Sequence, residues 1–280
     1  MPHVVAFQGE RGAFSEEAAR QLLGGAIEAV PCRSFDEVFA AVAEGRANCA
    51  VIPIENSLAG SVLRNYELLA GGDLTIEGEV YLRIELAVIG QRGARLEEIR
   101  EVHSHPVALA QCHRFIGRHR LQAVPAYDTA GSVKDVLESG RNDVAAIAGR
   151  WAAEMYGGEV LAPGVEDHRE NFTRFLLLAP QRRRVELRSD GPRKTTLLFR
   201  TPNRPGALFR ALAVFALRDI NLSKIESRPI EGRPWEYSFY LDFAGDAAEP
   251  NVARAIAHLQ EMCETVRILG SYPAESHERR

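Results

Sequence analysis

Val4-Val5-Ala6-Phe7, then Gln8-Gly9-Glu10-Arg11-Gly12-Ala13-Phe14, then a segment opening at Ser15 and running to residue 23, read in turn as strand, glycine turn and helix. The first run is short, apolar and partly β-branched. Two glycines break it, and small and apolar residues then recur at helical spacing, with Ser15 placed as the cap. The alternation continues outward from there. Residues 27–30, 50–54, 84–89, 123–126, 144–148 and 175–179 read as strands, and residues 35–44, 106–118 and 131–138 as helices between them. Such a pattern predicts an α/β architecture whose ligand site lies in a crevice beyond the strand ends.

With 280 residues the chain is long for one compact domain, which predicts two units. It is 46% hydrophobic and 26% charged, as expected of an ordinary folded protein. The net charge of -4 is spread along the chain, so neither nucleic acid nor a membrane surface is an expected partner. One dense basic run, Arg182-Arg183-Arg184, falls in a polar stretch and reads as a solvated linker. Gln8, Gly9, Glu10 and Arg11 interrupt the N-terminal apolar run before it reaches the length of a signal-peptide core. Cys32, Cys49, Cys112 and Cys263 include no Cys-x-x-Cys pair, and fit buried thiols better than a disulfide or zinc framework. The expectation is a cytoplasmic protein with no metal and no cofactor.

Residues 181–193 are polar and contain Gly191 and Pro192, which marks a linker between a first domain at 1–180 and a second at 194–273, with a tail at 274–280. Beyond the linker, strand 195–199, helix 206–218, strands 222–227 and 237–243, helix 251–261 and strand 266–269 follow in the order βαββαβ, which is ferredoxin-like. Val252, Ile256, Leu259 and Cys263 fall at helical spacing. Tyr237, Phe239, Leu241 and Phe243 alternate with Ser238, Tyr240 and Asp242 as in a half-buried strand. A core of about eighty residues is marginal alone, so pairing between copies is expected.

Five polar clusters stand where chemistry is possible. The turn from Gly9 to Ser15 lacks the Gly-x-Gly-x-x-Gly spacing and the Walker lysine, and reads as a plain turn with a cap rather than a phosphate cradle. Pro53-Ile54-Glu55-Asn56-Ser57 leaves the end of an apolar strand, so Glu55 is placed to move a proton and Asn56 to donate to a carboxylate; an Asx turn with a surface glutamate is the competing reading. Ser104-His105-Pro106 precedes Gln111, with Ser104 and Gln111 about two helical turns apart; His105 reads as a structural hydrogen-bonder or a base, and Ser104 as a site residue or a cap. Asp128-Thr129-Ala130-Gly131-Ser132 and Asn171-Phe172-Thr173-Arg174-Phe175 complete the set. None contains a nucleophile–base pair or zinc spacing.

Taken together, these segments resemble prephenate dehydratase: Pro53 to Ser57 with Gly60-Ser61, Ser104-His105-Pro106 with Gln111, Asp128-Thr129-Ala130, and above all Thr173-Arg174-Phe175. The second module resembles an ACT domain, with Gly206-Ala207-Leu208-Phe209 and with Ile220-Asn221-Leu222 before Glu226-Ser227-Arg228-Pro229. The family's usual Gly-Ala-Leu-Val is Gly-Ala-Leu-Phe here. No helical chorismate mutase segment precedes Val4, so the fused bifunctional form is not expected.

The resemblance implies a catalytic domain of two α/β lobes like the type II periplasmic binding proteins, one lobe at 1–78 with 160–180 and the other at 79–159. It also implies decarboxylative dehydration of prephenate to phenylpyruvate, with phenylalanine as allosteric effector and a homodimer or homotetramer as the assembly. Thr173, Glu55, Asn56 and Gln111 are then the expected catalytic residues, with Thr173 at the departing hydroxyl and Glu55 as a possible proton source. Ser57, Ser104, Asp128, Thr129, Arg174 and Phe175 are expected to bind substrate, Arg174 by pairing with a carboxylate unless it locks the lobes together. Gly206, Ala207, Leu208, Asn221, Leu222, Glu226 and Ser227 are expected to bind the effector. Arogenate dehydratase is the sister reading, and a non-catalytic ligand-binding regulator is the reading from another class.

Overall fold

The computed structural model describes residues 2–182, 185, 187, 191–230 and 232–275. Arg183 and Arg184 of the basic run, several linker positions and the tail from 276 lie outside the described residues. The chain divides into two compact units: Met1–Leu68 with Val80–Leu177, and Leu69–Glu79 with Leu178–Arg280.

The chain begins with β1 (His3–Gln8), α1 (Phe14–Leu23), β2 (Ile27–Cys32), α2 (Phe35–Ala43), β3 (Cys49–Asn56), β4 (Gly60–Ser61), α3 (Leu63–Gly71) and β5 (Leu74–Arg83). There follow β6 (Ala87–Gly90), β7 (Glu101–Ser104), α4 (Pro106–Gln111), α5 (His113–His119), β8 (Gln122–Pro125), α6 (Thr129–Ser139), β9 (Val144–Ala148), α7 (Arg150–Tyr156), β10 (Glu159–Ala162) and β11 (Phe172–Pro180). One sheet has the order β2-β1-β3-β11-β5, with β4 beside β3, and a second has the order β10-β6-β9-β7-β8. β1 runs parallel to β2 and β3, and β7 parallel to β8 and β9. Val5 to Phe7 and Cys49 to Ile52 are fully buried, as are Val102 and Ala145 to Ala148, because helices cover the sheets and leave their central strands apolar on both faces. The two sheets are the centres of two α/β lobes.

The chain crosses between the lobes near residues 84–86 and returns after Ala162, so β10, expected partly in the first lobe, belongs to the second sheet. Residues 84–86, expected as strand, are the crossing itself. There the N–H groups of Ile84 and Leu86 donate to the Asn171 carbonyl and the Glu166 carboxylate instead of to a strand ladder. The helix expected over 106–118 is two, because the N–H of buried Cys112 bonds back only three residues to Leu109 and closes the first helix. Ser15 is not the cap of α1: the helix begins at Phe14 after Ala13, with no capping side chain. Glu16 fixes the turn instead, its buried carboxylate accepting from the Gly12 N–H at 2.9 Å and pairing with Arg11 and Arg20.

In the second unit β12 (Arg193–Arg200), α8 (Ala207–Ala216), β13 (Leu222–Ile230), β14 (Arg233–Ala244), α9 (Pro250–Met262) and β15 (Thr265–Pro273) form the expected βαββαβ order, with the antiparallel sheet β13-β14-β12-β15. Leu197, Phe199, Leu241 and Phe243 pack under α8 and α9 with Val214, Phe215, Ile256 and Leu259. The expectation of a half-buried β14 fails, because Ser238, Tyr240 and Asp242 are buried as well. This second face is covered: a Cβ at Gly270 would overlap the Ile76 carbonyl, Lys194 pairs with Glu79, and Arg267 donates to the carbonyls of Ala70 and Gly72. These contacts place Leu69–Glu79 with the second unit, although its sequence position suggested the first domain.

Candidate active site

Strand β3 carries apolar residues as far as Ile54, and its last residue, Asn56, turns polar groups into the space beyond the strand end. The Asn56 amide donates to the Asn171 side-chain oxygen at 2.8 Å, the Thr173 hydroxyl at 2.9 Å and the Phe172 carbonyl at 3.2 Å. Its own side-chain oxygen accepts from the N–H groups of Leu58 and Ala59. The Asx turn is therefore formed, and the amide donates to protein groups. Asn171 is fully buried, and its amide donates to Gln111 Oε1 at 3.1 Å. Since Gln111 ends α4, this chain of amides runs from the first lobe into the second.

Thr173 is 7% exposed and lines a cavity of about 870 Å³. The Asn56 bond occupies one lone pair of its oxygen. The hydroxyl has no acceptor among the described residues. Phe14, Phe175, Ile84 and Leu86 supply apolar wall, while Asn56, Gln111, Thr129 and His105 supply polar groups. The volume and the mixture suit a small ring compound carrying polar substituents. Arg33, at the end of β2, lines the same cavity, and its guanidinium has no ion pair or hydrogen bond among the described residues. By contrast Arg64 is held by Asp36 and Glu67. Its guanidinium beside Asp36 keeps that carboxyl below the usual range.

Of the expected catalytic residues, Asn56, Gln111 and Thr173 are gathered around one cavity and Glu55 is not among its lining. Glu55 lies in the ladder opposite Ser61 of β4. Ser57 is one step removed: its hydroxyl accepts from the Phe172 N–H and donates to the Glu170 carbonyl, which fixes the start of β11. Ser104 is a correction. It is fully buried and its hydroxyl donates to the Ile147 carbonyl at 2.6 Å, tying β7 to β9. Arg174 is a second correction: it alternates away from Thr173, is 5% exposed, and lies 6.0 Å over the Tyr81 ring instead of in the cavity. Asp128 caps α6 through the Gly131 N–H at 2.6 Å. Thr129 and Phe175 line the cavity as expected. His105 does line it, but its Nδ1 accepts from the Val107 N–H at the start of α4.

Asn171 and Arg33 were not singled out from the sequence. Asn171 opened the quoted Asn-Phe-Thr-Arg-Phe segment, and Arg33 follows a strand end just as Asn56 does, so both signals were present. Among the expected effector residues, Gly206 holds a left-handed conformation (φ 75°) immediately before α8, where a side chain would be strained. Ala207 and Leu208 open that helix, Asn221 directly precedes β13 and Leu222 begins it, and Glu226 and Ser227 lie on this edge strand, with Glu226 3.8 Å from Lys224. Phe209 projects outward and is largely exposed.

Known proteins resemble this chain along nearly its whole length. The family model described as prephenate dehydratase matches residues 5–183, and that of the ACT domain matches residues 195–259. Arogenate dehydratase/prephenate dehydratase 2, chloroplastic, from Arabidopsis thaliana is 43% identical over 97% of this chain and 73% of its own length. A bifunctional N-acyl-homoserine lactone acylase/prephenate dehydratase from Komagataeibacter europaeus is 41% identical over 99% of this chain and 98% of its own. The crystal structure of prephenate dehydratase in complex with L-Phe from Arthrobacter aurescens superposes with a TM-score of 0.87 at 34% identity, covering 97% of this chain and 90% of that one. This chain therefore belongs to the prephenate dehydratase family and carries an ACT domain as its C-terminal module.

Proposed function

We propose that the cavity converts prephenate to phenylpyruvate, carbon dioxide and water. The observation that carries this reading is the Thr173 hydroxyl, which lines the cavity and accepts a hydrogen bond from Asn56. Loss of carbon dioxide from the quaternary ring carbon releases an electron pair into the ring. The pair expels the hydroxyl across the ring, and aromaticity supplies the driving force. The protein has to orient the ring and assist the departing hydroxyl, which are positioning and general-acid tasks. Thr173 donates a hydrogen bond to the leaving oxygen, and Asn56 stabilises the charge that this donation draws onto the Thr173 oxygen. The proton that completes the water passes through Thr173 from solvent in the cleft. Glu55 has no part in the route, because it does not face the cavity. The Arg33 guanidinium, without an ion pair among the described residues, suits a substrate with two carboxylates.

Appearance of the ultraviolet absorbance of phenylpyruvate on adding prephenate tests this directly. No product at any enzyme concentration overturns it. The arogenate dehydratase names among the relatives favour a second substrate, arogenate, which undergoes the same elimination. Assay of both side by side, with phenylalanine as the product of the second, ranks them.

The ACT domain in this reading binds phenylalanine between paired modules, near the start of α8 and along β13, and shifts a closing equilibrium of the cleft. Calorimetry with phenylalanine, and sizing for a homodimer or homotetramer, test the two parts separately.

A further inference from the structure

Beside the main cavity lies a hollow of about 110 Å³, which shares Gln8, Phe14, Ser15 and Thr129 with it. It has room for a carboxylate. The N-termini of α1, from the first lobe, and α6, from the second, both open onto it. The N–H groups of Phe14, Ser15, Thr129 and Ala130 have no acceptor among the described residues, as expected for the first turn of a helix. Ser15 adds an observation independent of the helix ends. It is 7% exposed, lines the hollow, and its hydroxyl makes no hydrogen bond among the described residues. That hydroxyl keeps access to the hollow and is available to a ligand there. Asp128 also lines the hollow, with its Oδ1 accepting from the Gly131 N–H, so an anion there is held by hydrogen bonds and two helix ends against one carboxylate in the wall.

We infer that this hollow seats the side-chain carboxylate of the substrate, with Ser15 and Thr129 as its hydroxyl donors; the inference rests on the proposed reaction. The chemistry decides which of the two carboxylates enters. The ring carboxylate leaves as carbon dioxide, and strong hydrogen bonds to it would stabilise the ground state and slow the reaction. The side-chain carboxylate is unchanged from substrate to product, so holding it tightly carries no such penalty. Binding there is uniform across substrate, transition state and product, and the hollow sets KM and leaves kcat alone.

The test uses the full chain. Ser15→Ala and Thr129→Val are each expected to raise KM for prephenate about tenfold, the usual scale for a hydrogen bond to a charged group, with kcat within twofold and inhibition by phenylpyruvate weakened in parallel. Thr129→Ser is expected to recover KM relative to Thr129→Val. Because the Ser15 hydroxyl bonds nothing among the described residues, Ser15→Ala is expected to keep the wild-type Tm. Wild-type turnover combined with unchanged KM and phenylpyruvate inhibition in Ser15→Ala overturns the hollow and leaves the reaction standing. Failure of the wild-type chain to act on prephenate overturns both.

Discussion

Thr173 in the first unit and Thr196 in the second are buried to nearly the same degree, 7% and 5% exposed. Their hydroxyls differ in what surrounds them. The Thr196 oxygen lies 2.7 Å from both Asp242 Oδ1 and the Tyr272 hydroxyl, so its bonding is completed inside the protein. The Thr173 oxygen is bonded by Asn56 on one side and meets the cavity on the other. Burial of a polar group thus has two uses. Where protein supplies every partner the group is structural, and where a cavity replaces one partner the group is available to a ligand.

The largest effect expected from this contrast is on turnover. Thr173→Val should lower kcat about a hundredfold, the usual scale for a positioned proton donor, with little change in stability, because Asn56 keeps Asn171 and Phe172 as acceptors. Near-normal turnover would remove Thr173 from the mechanism. Thr196→Val should do the opposite, costing about 1–3 kcal/mol in urea unfolding of the second unit through the donors and acceptors it leaves buried. A change in kcat without that loss would erase the distinction. Ser104→Ala sharpens it within the first unit: with its hydroxyl bonded to Ile147, we expect about 1 kcal/mol of lost stability and an unchanged KM.

A smaller effect is expected at Glu17, whose carboxyl is pushed up by burial and then by the nearby Glu154 carboxylate. A carboxyl raised in the folded state binds its proton more tightly there than when unfolded. Its ionisation therefore penalises the fold above the folded value, and the penalty disappears as pH falls below the ordinary carboxylate range. Glu17→Gln should accordingly raise Tm at neutral pH and lose that advantage in acid, which melting curves across pH would reveal. The smallest effect is at Glu55, where Glu55→Gln should leave the pH profile of turnover unaltered. Loss of its acidic limb would return Glu55 to the mechanism.

The α/β alternation, the βαββαβ order and the polar clusters at strand ends were all legible along the chain. β5 was not picked out, although Leu74, Ile76, Val80 and Leu82 alternate with polar residues. Leu69–Glu79 was assigned by position, whereas its partners Lys194, Arg267 and Gly270 lie far away in sequence. The site residues show the same limit. Asn56 and Thr173 were identified, yet Ser104 and Arg174, drawn from motifs just as specific, proved to be packed away from the cavity.

The sequence by itself determined which segments become strands and helices and where polar groups leave their ends, since periodicity and turn chemistry are local properties of the chain. It also identified the family, through the order and spacing of short motifs. Only the tertiary structure decided which neighbour in each motif faces the cleft. One residue's step along a strand reverses the direction of its side chain, and whether a buried hydroxyl meets a carbonyl or an open cavity depends on strands brought together from distant parts of the chain.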